Sequence, residues 1–138
     1  MKKKSIILYL TVLLLATSCY KASINGKLDG MWQLMEIEKS NGELTDVKNE
    51  RIYYSVQLHL INLKKIGGGE FLGRFVHSGD SLLINDVRIY RGEDKLATKE
   101  QLAPFGFNGV SEHFKVEALT HSQMVLRSEY ATLRFRKY

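Results

Sequence analysis

The histidines of this chain are the side chains best suited to chemistry, because imidazoles bind metals and transfer protons near neutral pH. The chain has four, and no two have the close spacing of a zinc-binding helix or hairpin. A hairpin at residues 67–69 that pairs Ile66 with Glu70 would fix the register of its two strands. In that register His59 lies opposite His77. Two ligands without a third group make a poor metal site, so we expect a partly exposed polar pair and no bound metal.

No pattern typical of a catalytic site is visible. The serines and histidines form no recognisable nucleophile turn. Two carboxylate pairs occur, Glu36 with Glu38 and Glu93 with Asp94. Neither pair lies among apolar residues, the surroundings that would keep one carboxyl protonated for general-acid catalysis. The glycine run at residues 67–69 precedes strand residues rather than a helix, so it does not resemble a phosphate-binding loop. We therefore expect no enzymatic activity and no cofactor.

Cys19 is the only cysteine, and the residues before it have the layout of a secretory signal. Residues 2–4 are lysines, residues 6–16 form an apolar run too short to span a bilayer, and small residues directly precede Cys19. A single thiol forms no intramolecular disulfide. The domain that follows must therefore be stabilised by its core alone.

The run Leu15-Ala16-Thr17-Ser18-Cys19 resembles the lipobox of bacterial lipoproteins, with its leucine one position earlier than in the commonest pattern. This resemblance implies a signal peptide over residues 1–18, a lipidated tether over residues 19–27, and a diacylglyceryl thioether and an N-acyl chain such as palmitate on Cys19. Each buried CH₂ contributes about 0.8 kcal/mol, so two or three acyl chains hold a protein durably on a membrane. The alternative is an ordinary cleaved signal followed by an incidental cysteine.

The tether carries no acidic cluster after Cys19 that resembles a surface-export signal. We therefore expect the periplasmic face of the outer membrane. The formal net charge of +5 includes the three lysines of the signal, and the remainder is nearly balanced, which gives no electrostatic basis for binding nucleic acid. Arg134, Arg136 and Lys137 alternate with apolar residues, which is typical of a solvated strand face; an anionic partner is the alternative.

Short β-branched and aromatic runs alternate with turn signals from Gly30 onward, among them Asn41-Gly42 and Gly79-Asp80. The predicted strands cover residues 31–39, 43–47, 51–63, 71–77, 82–90, 114–118, 124–129 and 131–137. An antiparallel meander of about eight strands removes its edges by closing into a barrel. The expected fold is therefore a small all-β up-and-down barrel over residues 28–138.

Residues 92–110 interrupt the strand pattern and form a long connection. Thr98 and Gln101 have the spacing of a capping box for a short helix, which Pro104 would end. Four apolar residues give this connection something to bury: Leu96, Leu102, Phe105 and Phe107. We expect a fixed plug over one barrel end, with a ligand-gating loop as the alternative.

Gly30-Met31-Trp32 resembles the opening motif of lipocalins, and the resemblance covers about residues 27–138. In that family the tryptophan closes the barrel floor and an arginine near the last strand packs across it. Arg134 or Arg136 could take that role as a cation–π pair. With the lipobox, the chain resembles the short lipocalin-like lipoproteins of gut Gram-negative anaerobes. The central lipocalin motif is absent.

Together these features predict a non-catalytic, membrane-anchored barrel that binds a small hydrophobic ligand. The alternative is a structural or protein-interaction module of an envelope complex, which acts through its outer surface. The two hypotheses predict different interiors. A ligand needs a cavity of about 300–1,000 Å³, whereas the module has a filled core and an exposed apolar patch.

Overall fold

The chain is described over residues 24–91 and 94–138 of a computed structural model. The signal peptide, Cys19, most of the tether and Glu93 lie outside the described residues. Within them, the strands are β1 (Gly30–Lys39), β2 (Leu44–Asp46), β3 (Ile52–Gln57), β4 (Leu60–Lys65), β5 (Glu70–Ser78), β6 (Ser81–Ile89), β7 (Glu112–Leu119), β8 (Gln123–Arg127) and β9 (Ala131–Lys137). The short helices are α1 (Lys99–Leu102) and three 3-10 turns, Gly26–Leu28, Lys48–Glu50 and Ala103–Phe105. None of these helices is long and apolar enough to cross a membrane.

The sheet closes on itself because β9 pairs with β1. All pairings are antiparallel, and the strands follow one another in sequence order from β3 to β9. Short β2 pairs with the second half of β1, beyond the point where β3 ends its pairing, so the barrel itself has eight strands. The predicted up-and-down barrel is confirmed. We term the barrel end that contains Gly30 and Lys137 the terminal end, and the opposite end the plug end.

The single strand predicted over residues 51–63 is wrong, because this segment is the hairpin of β3 and β4. Leu58 and His59 form the turn, and Leu58 has a φ of 56°. That left-handed conformation favours glycine or asparagine, so the turn carries no sequence signal. Leu58 and Leu60, which period two places with the core, are 57% and 41% exposed.

Apolar side chains from all eight barrel strands fill the interior. Strand alternation turns one face of each strand inward, and those positions are almost entirely aliphatic or aromatic. The largest fully buried side chains are Trp32, Tyr54, Phe105, Phe107 and Phe114. Within the described residues, no buried side-chain nitrogen or oxygen lacks a hydrogen-bond partner.

The long connection contains the predicted short helix, and its cap is confirmed. Thr98 Oγ1 accepts a hydrogen bond from the Gln101 N–H at 3.2 Å, and Gln101 Oε1 accepts one from the Thr98 N–H at 2.9 Å. Pro104 lies in the 3-10 turn that follows. Gly106 then has a φ of 87°, a left-handed conformation that glycine adopts without strain. This turn directs the aromatic residues on either side of it into the barrel.

Candidate functional site

Trp32 closes the terminal end of the barrel. Its side chain is fully buried, and its indole N–H donates a 2.9 Å hydrogen bond to the carbonyl oxygen of Leu28. The Lys137 ammonium lies 4.3 Å from the indole ring centroid and also donates to the Asp29 carbonyl oxygen. Gly30 has a φ of 119°, which favours glycine, and a Cβ there would lie 2.6 Å from the Lys137 nitrogen and displace the ammonium. These contacts join the first and last strands around the indole.

The cation over the indole is Lys137, and the expectation of Arg134 or Arg136 in that position needs correction. Arg134 donates a 2.9 Å hydrogen bond to Glu38, and Arg136 donates one of 3.0 Å to the Gln33 side chain. The reason is strand alternation, because the even-numbered residues of β9 point out of the barrel. Lys137 instead pairs directly with Trp32, in phase with the buried residues of β9.

Lys137 is therefore the site residue that the lipocalin-type motif does not predict, although a signal for it exists. Leu133 and Phe135 are apolar and alternate with the arginines, so period two places Lys137 on the inner face. Glu36 and Glu38, for which the sequence predicts no catalytic role, lie on β1, where both carboxylates form ion pairs with Arg134, at 3.9 and 2.9 Å. These carboxylates are structural partners on the outer surface.

We expect Lys137→Met to lower the free energy of unfolding by about 0.5–2 kcal/mol, the value of a cation–π contact. Methionine keeps most of the apolar stem but loses the contact with the indole and the hydrogen bond to Asp29. Urea denaturation followed by circular dichroism measures the change. Lys115→Met, on the exposed outer face of β7, is the matched control and should change stability by less than about 0.5 kcal/mol. Equal effects of the two substitutions would contradict the assignment.

The long connection closes the plug end. Leu102, Phe105 and Phe107 are each at most 1% exposed. The Tyr54 hydroxyl donates a hydrogen bond to the Phe105 carbonyl oxygen, and the rings of Phe105 and Phe71 meet edge to face with centroids 5.7 Å apart. These contacts are those of a plug that forms part of the core.

Gly106 and Phe107 of the connection also pack closely against the inner face of the barrel. A Cβ on Gly106 would overlap the Leu133 side chain, so the backbone here touches the inner face of β9. Phe107 packs edge to face on Phe114 with centroids 5.9 Å apart. Leu96 is the exception among the four predicted gating residues, because it is 56% exposed and forms a backbone bridge to Arg88. The other three belong to the core.

Among the described residues, Tyr54 is an ionisable side chain that is fully buried and has a shifted pKa. Burial raises this pKa well above its ordinary value, and the negative charge of Glu112 adds to the increase. The folded state thus holds the phenolic proton more tightly than the unfolded state. Its contribution to stability is complete below about pH 10 and is lost as the pH rises through that value towards the folded pKa.

We therefore expect the unmodified protein to lose more stability than Tyr54→Phe when the pH rises from about 9 to about 11. At neutral pH, Tyr54→Phe should itself be less stable by about 1–3 kcal/mol, because the Phe105 carbonyl loses its buried donor. Urea denaturation at several pH values measures both effects. Tyr53→Phe, which leaves the buried phenol in place, should keep the pH dependence of the unmodified chain.

The predicted pairing of His59 with His77 is wrong in register. Lys64 pairs with Glu70 and Leu60 with Arg74, so the loop of the β4–β5 hairpin is residues 66–68 rather than 67–69. Both histidines still line one open depression of about 520 Å³ at the terminal end. The described residues contain no group of three or more His, Cys, Asp or Glu side chains placed to hold a metal.

A second open groove, of about 440 Å³, lies on the outer face of β6, β7 and β8. In it the Ser81 hydroxyl and the His113 Nε2 atom are 2.7 Å apart. Nucleophilic catalysis would also need an acid that orients the imidazole and donors for an oxyanion. Within the described residues, Ser81 is the one hydrogen-bond partner of the His113 imidazole. Acidic and basic side chains both line this groove: Asp80, Lys115, Arg127 and Glu129.

Comparisons with known proteins agree with this architecture. A crystal structure of a lipocalin-like protein from Bacteroides uniformis has 27% sequence identity and a TM-score of 0.63, and the match covers 82% of this chain and all of that one. A crystal structure of an uncharacterized protein from Bacteroides eggerthii has 26% identity and a TM-score of 0.60, with 80% and 98% of the chains covered. A protein from Burkholderia xenovorans, at 16% identity and a TM-score of 0.57 over 80% and 82% of the chains, shares the fold.

A search of curated proteins found no match. The family model for a lipocalin-like domain matches residues 13–138, which is nearly the whole chain. This range contains every strand of the barrel, together with Trp32 and Lys137. On this evidence the chain belongs to the family of lipocalin-like domains.

Proposed function

We propose that this chain is a lipid-anchored module of the cell envelope that binds a protein partner through its outer surface and performs no catalysis. The observation that carries the proposal is that, among the described residues, side chains from the barrel strands and from the plug form one buried apolar cluster inside the barrel. Trp32 and Leu28 close the terminal end, and Phe105 and Phe107 occupy the plug end. The two depressions described above open to the outside of the barrel.

A small hydrophobic ligand inside the barrel is the less favoured function. The ligand would have to displace the plug, and exposing each large apolar side chain costs about 1.5–3 kcal/mol. The hydrogen bond from Tyr54 to the Phe105 carbonyl would also break. Three such side chains, Leu102, Phe105 and Phe107, move together in that opening, so the ligand would have to supply several kcal/mol before any net affinity.

The β6–β8 groove is the part of the outer surface that best fits a protein partner. It is concave, and it presents acidic and basic side chains together with the Ser81–His113 pair. Interfaces of this kind gain specificity from complementary charges around their rim. Lipid anchoring is supported by the lipobox-like run that ends at Cys19, and the periplasmic face of the outer membrane by the lack of an acidic tether.

The full chain, produced in a Gram-negative host and extracted in mild detergent, tests this proposal. Mass spectrometry of the N-terminal peptide should show acyl groups on Cys19, and Cys19→Ala should move the protein out of the membrane fraction. Native mass spectrometry should show no retained small apolar molecule. A photo-crosslinking residue at position 115, in the groove, should give a discrete protein adduct that the same residue at position 99, on α1, does not. A retained apolar molecule without any adduct would overturn the proposal.

A further inference from the structure

An exposed apolar patch lies at the terminal end of the barrel, and we define it by four side chains that are 41–60% exposed: Ile24, Leu58, Leu60 and Val76. Their backbones are held together. The Asn25 side-chain amide donates a 2.8 Å hydrogen bond to the Leu58 carbonyl, which holds the segment of Ile24 against the β3–β4 turn. Ile24 and Val76 line the same open depression.

Strand register extends this apolar patch across β4 and β5. Leu60 pairs with Arg74, so Val76 lies two residues farther along the same outward face of β5, towards the terminal end. Val76 in turn pairs with Leu83, which is half-buried. Three polar side chains that can bond to water or to lipid headgroups, Asn25, His59 and His77, line the depression beside the patch.

The position of Cys19 in the sequence limits the distance between the terminal end of the barrel and a membrane that holds an acylated Cys19. Cys19 precedes Ile24 by five residues. Because a fully extended chain spans at most about 3.6 Å per residue, the two Cα atoms lie within about 18 Å of each other. An acylated Cys19 therefore holds the terminal end close to the bilayer, and the plug end lies on the far side of the barrel.

We propose that the apolar patch docks on the surface of the lipid bilayer in which Cys19 is anchored. This inference rests on the lipid anchoring of the proposed function. The side chains of the patch enter the region between headgroups and acyl chains, where apolar surface is removed from water, and the neighbouring polar side chains stay at headgroup level. The barrel then stands with its plug end away from the membrane and the β6–β8 groove on its side.

The test uses the lipidated full chain in vesicles of phosphatidylethanolamine and phosphatidylglycerol. Acylation blocks Cys19, so Val76→Cys supplies a single free thiol for an environment-sensitive fluorophore. Leu44→Cys is the matched control, because Leu44 is an exposed leucine at the plug end. Lipids that carry a nitroxide on the acyl chain should quench the label at position 76 several-fold more than the label at position 44, and should shift its emission to the blue.

Leu60→Cys provides a second label in the apolar patch and should behave like Val76→Cys. Equal quenching of the patch and control labels in a chain that is acylated and bound to vesicles would overturn the docking alone. A blue shift at position 76 without quenching by the nitroxide lipids would also overturn it, because a second copy or another protein then covers the patch. A chain that carries no acyl group and does not sediment with vesicles would overturn the anchoring as well.

Discussion

Replacing Trp32 with alanine is expected to lower the free energy of unfolding by about 3–5 kcal/mol. The indole is fully buried, and its removal leaves a cavity between the first and last strands. The Leu28 carbonyl loses its donor, and the Lys137 ammonium loses the ring below it. Domains have a total stability of about 5–15 kcal/mol, so this single change removes a large share.

Circular dichroism during urea denaturation is the appropriate measurement, since Trp32 is the only tryptophan and the variant loses its fluorescence. Met31→Ala is the matched control, because Met31 is the neighbouring residue on the outer face of β1 and is 41% exposed. It should cost less than about 1 kcal/mol. A Trp32→Ala midpoint equal to that of the control would show that the indole does not close the barrel.

Phe105→Ala is expected to have an effect of similar size, about 3–5 kcal/mol, because it empties the centre of the plug. The ring is 1% exposed and contacts both Tyr54 and Phe71. Leu96→Ala changes an exposed side chain in the same connection and should leave stability within about 0.5 kcal/mol of the unmodified protein. Urea denaturation of the two variants separates core packing from a general effect on the connection.

The same variant also tests whether the interior is filled. A dry apolar cavity of the size of a phenyl ring binds benzene, so benzene should raise the melting temperature of Phe105→Ala. It should leave the unmodified protein unchanged. If benzene stabilised both proteins equally, the native barrel would already contain apolar space, and a small hydrophobic ligand would become the better hypothesis.

Much of the barrel could be predicted from local patterns. The role of Gly30 and Trp32 at the terminal end is implied by the resemblance to lipocalins, whereas strand alternation predicts most strands and Thr98 with Gln101 predicts the start of α1. These signals depend on neighbours in the sequence, where side-chain direction and backbone capping are decided. They were sufficient for the fold class, but not for the cation that packs on the indole of Trp32.

Features set by tertiary packing could not be predicted in this way. Leu58 adopts a left-handed conformation that its own preferences oppose, so the β3–β4 turn is imposed by the pairing of the strands on either side. The glycine run at residues 67–69 accommodates more than one hairpin register, and the register that occurs separates His59 from its expected partner. Lys137 differs from these features, because strand alternation alone places it on the inner face of β9. The resemblance to lipocalins instead implied an arginine, and Arg134 and Arg136 both face outwards.

The pairing of β1 with β9 also determines how the chain can fold. The two strands lie at opposite ends of the domain sequence and pair over most of their length. The entropy of a long loop is lost before this contact forms, so we expect β1 to pair with β9 later than the neighbouring strands pair into hairpins. The barrel cannot close until β9 has left the ribosome. A truncated chain that lacks β9 therefore exposes both edges of an open sheet and is prone to aggregate.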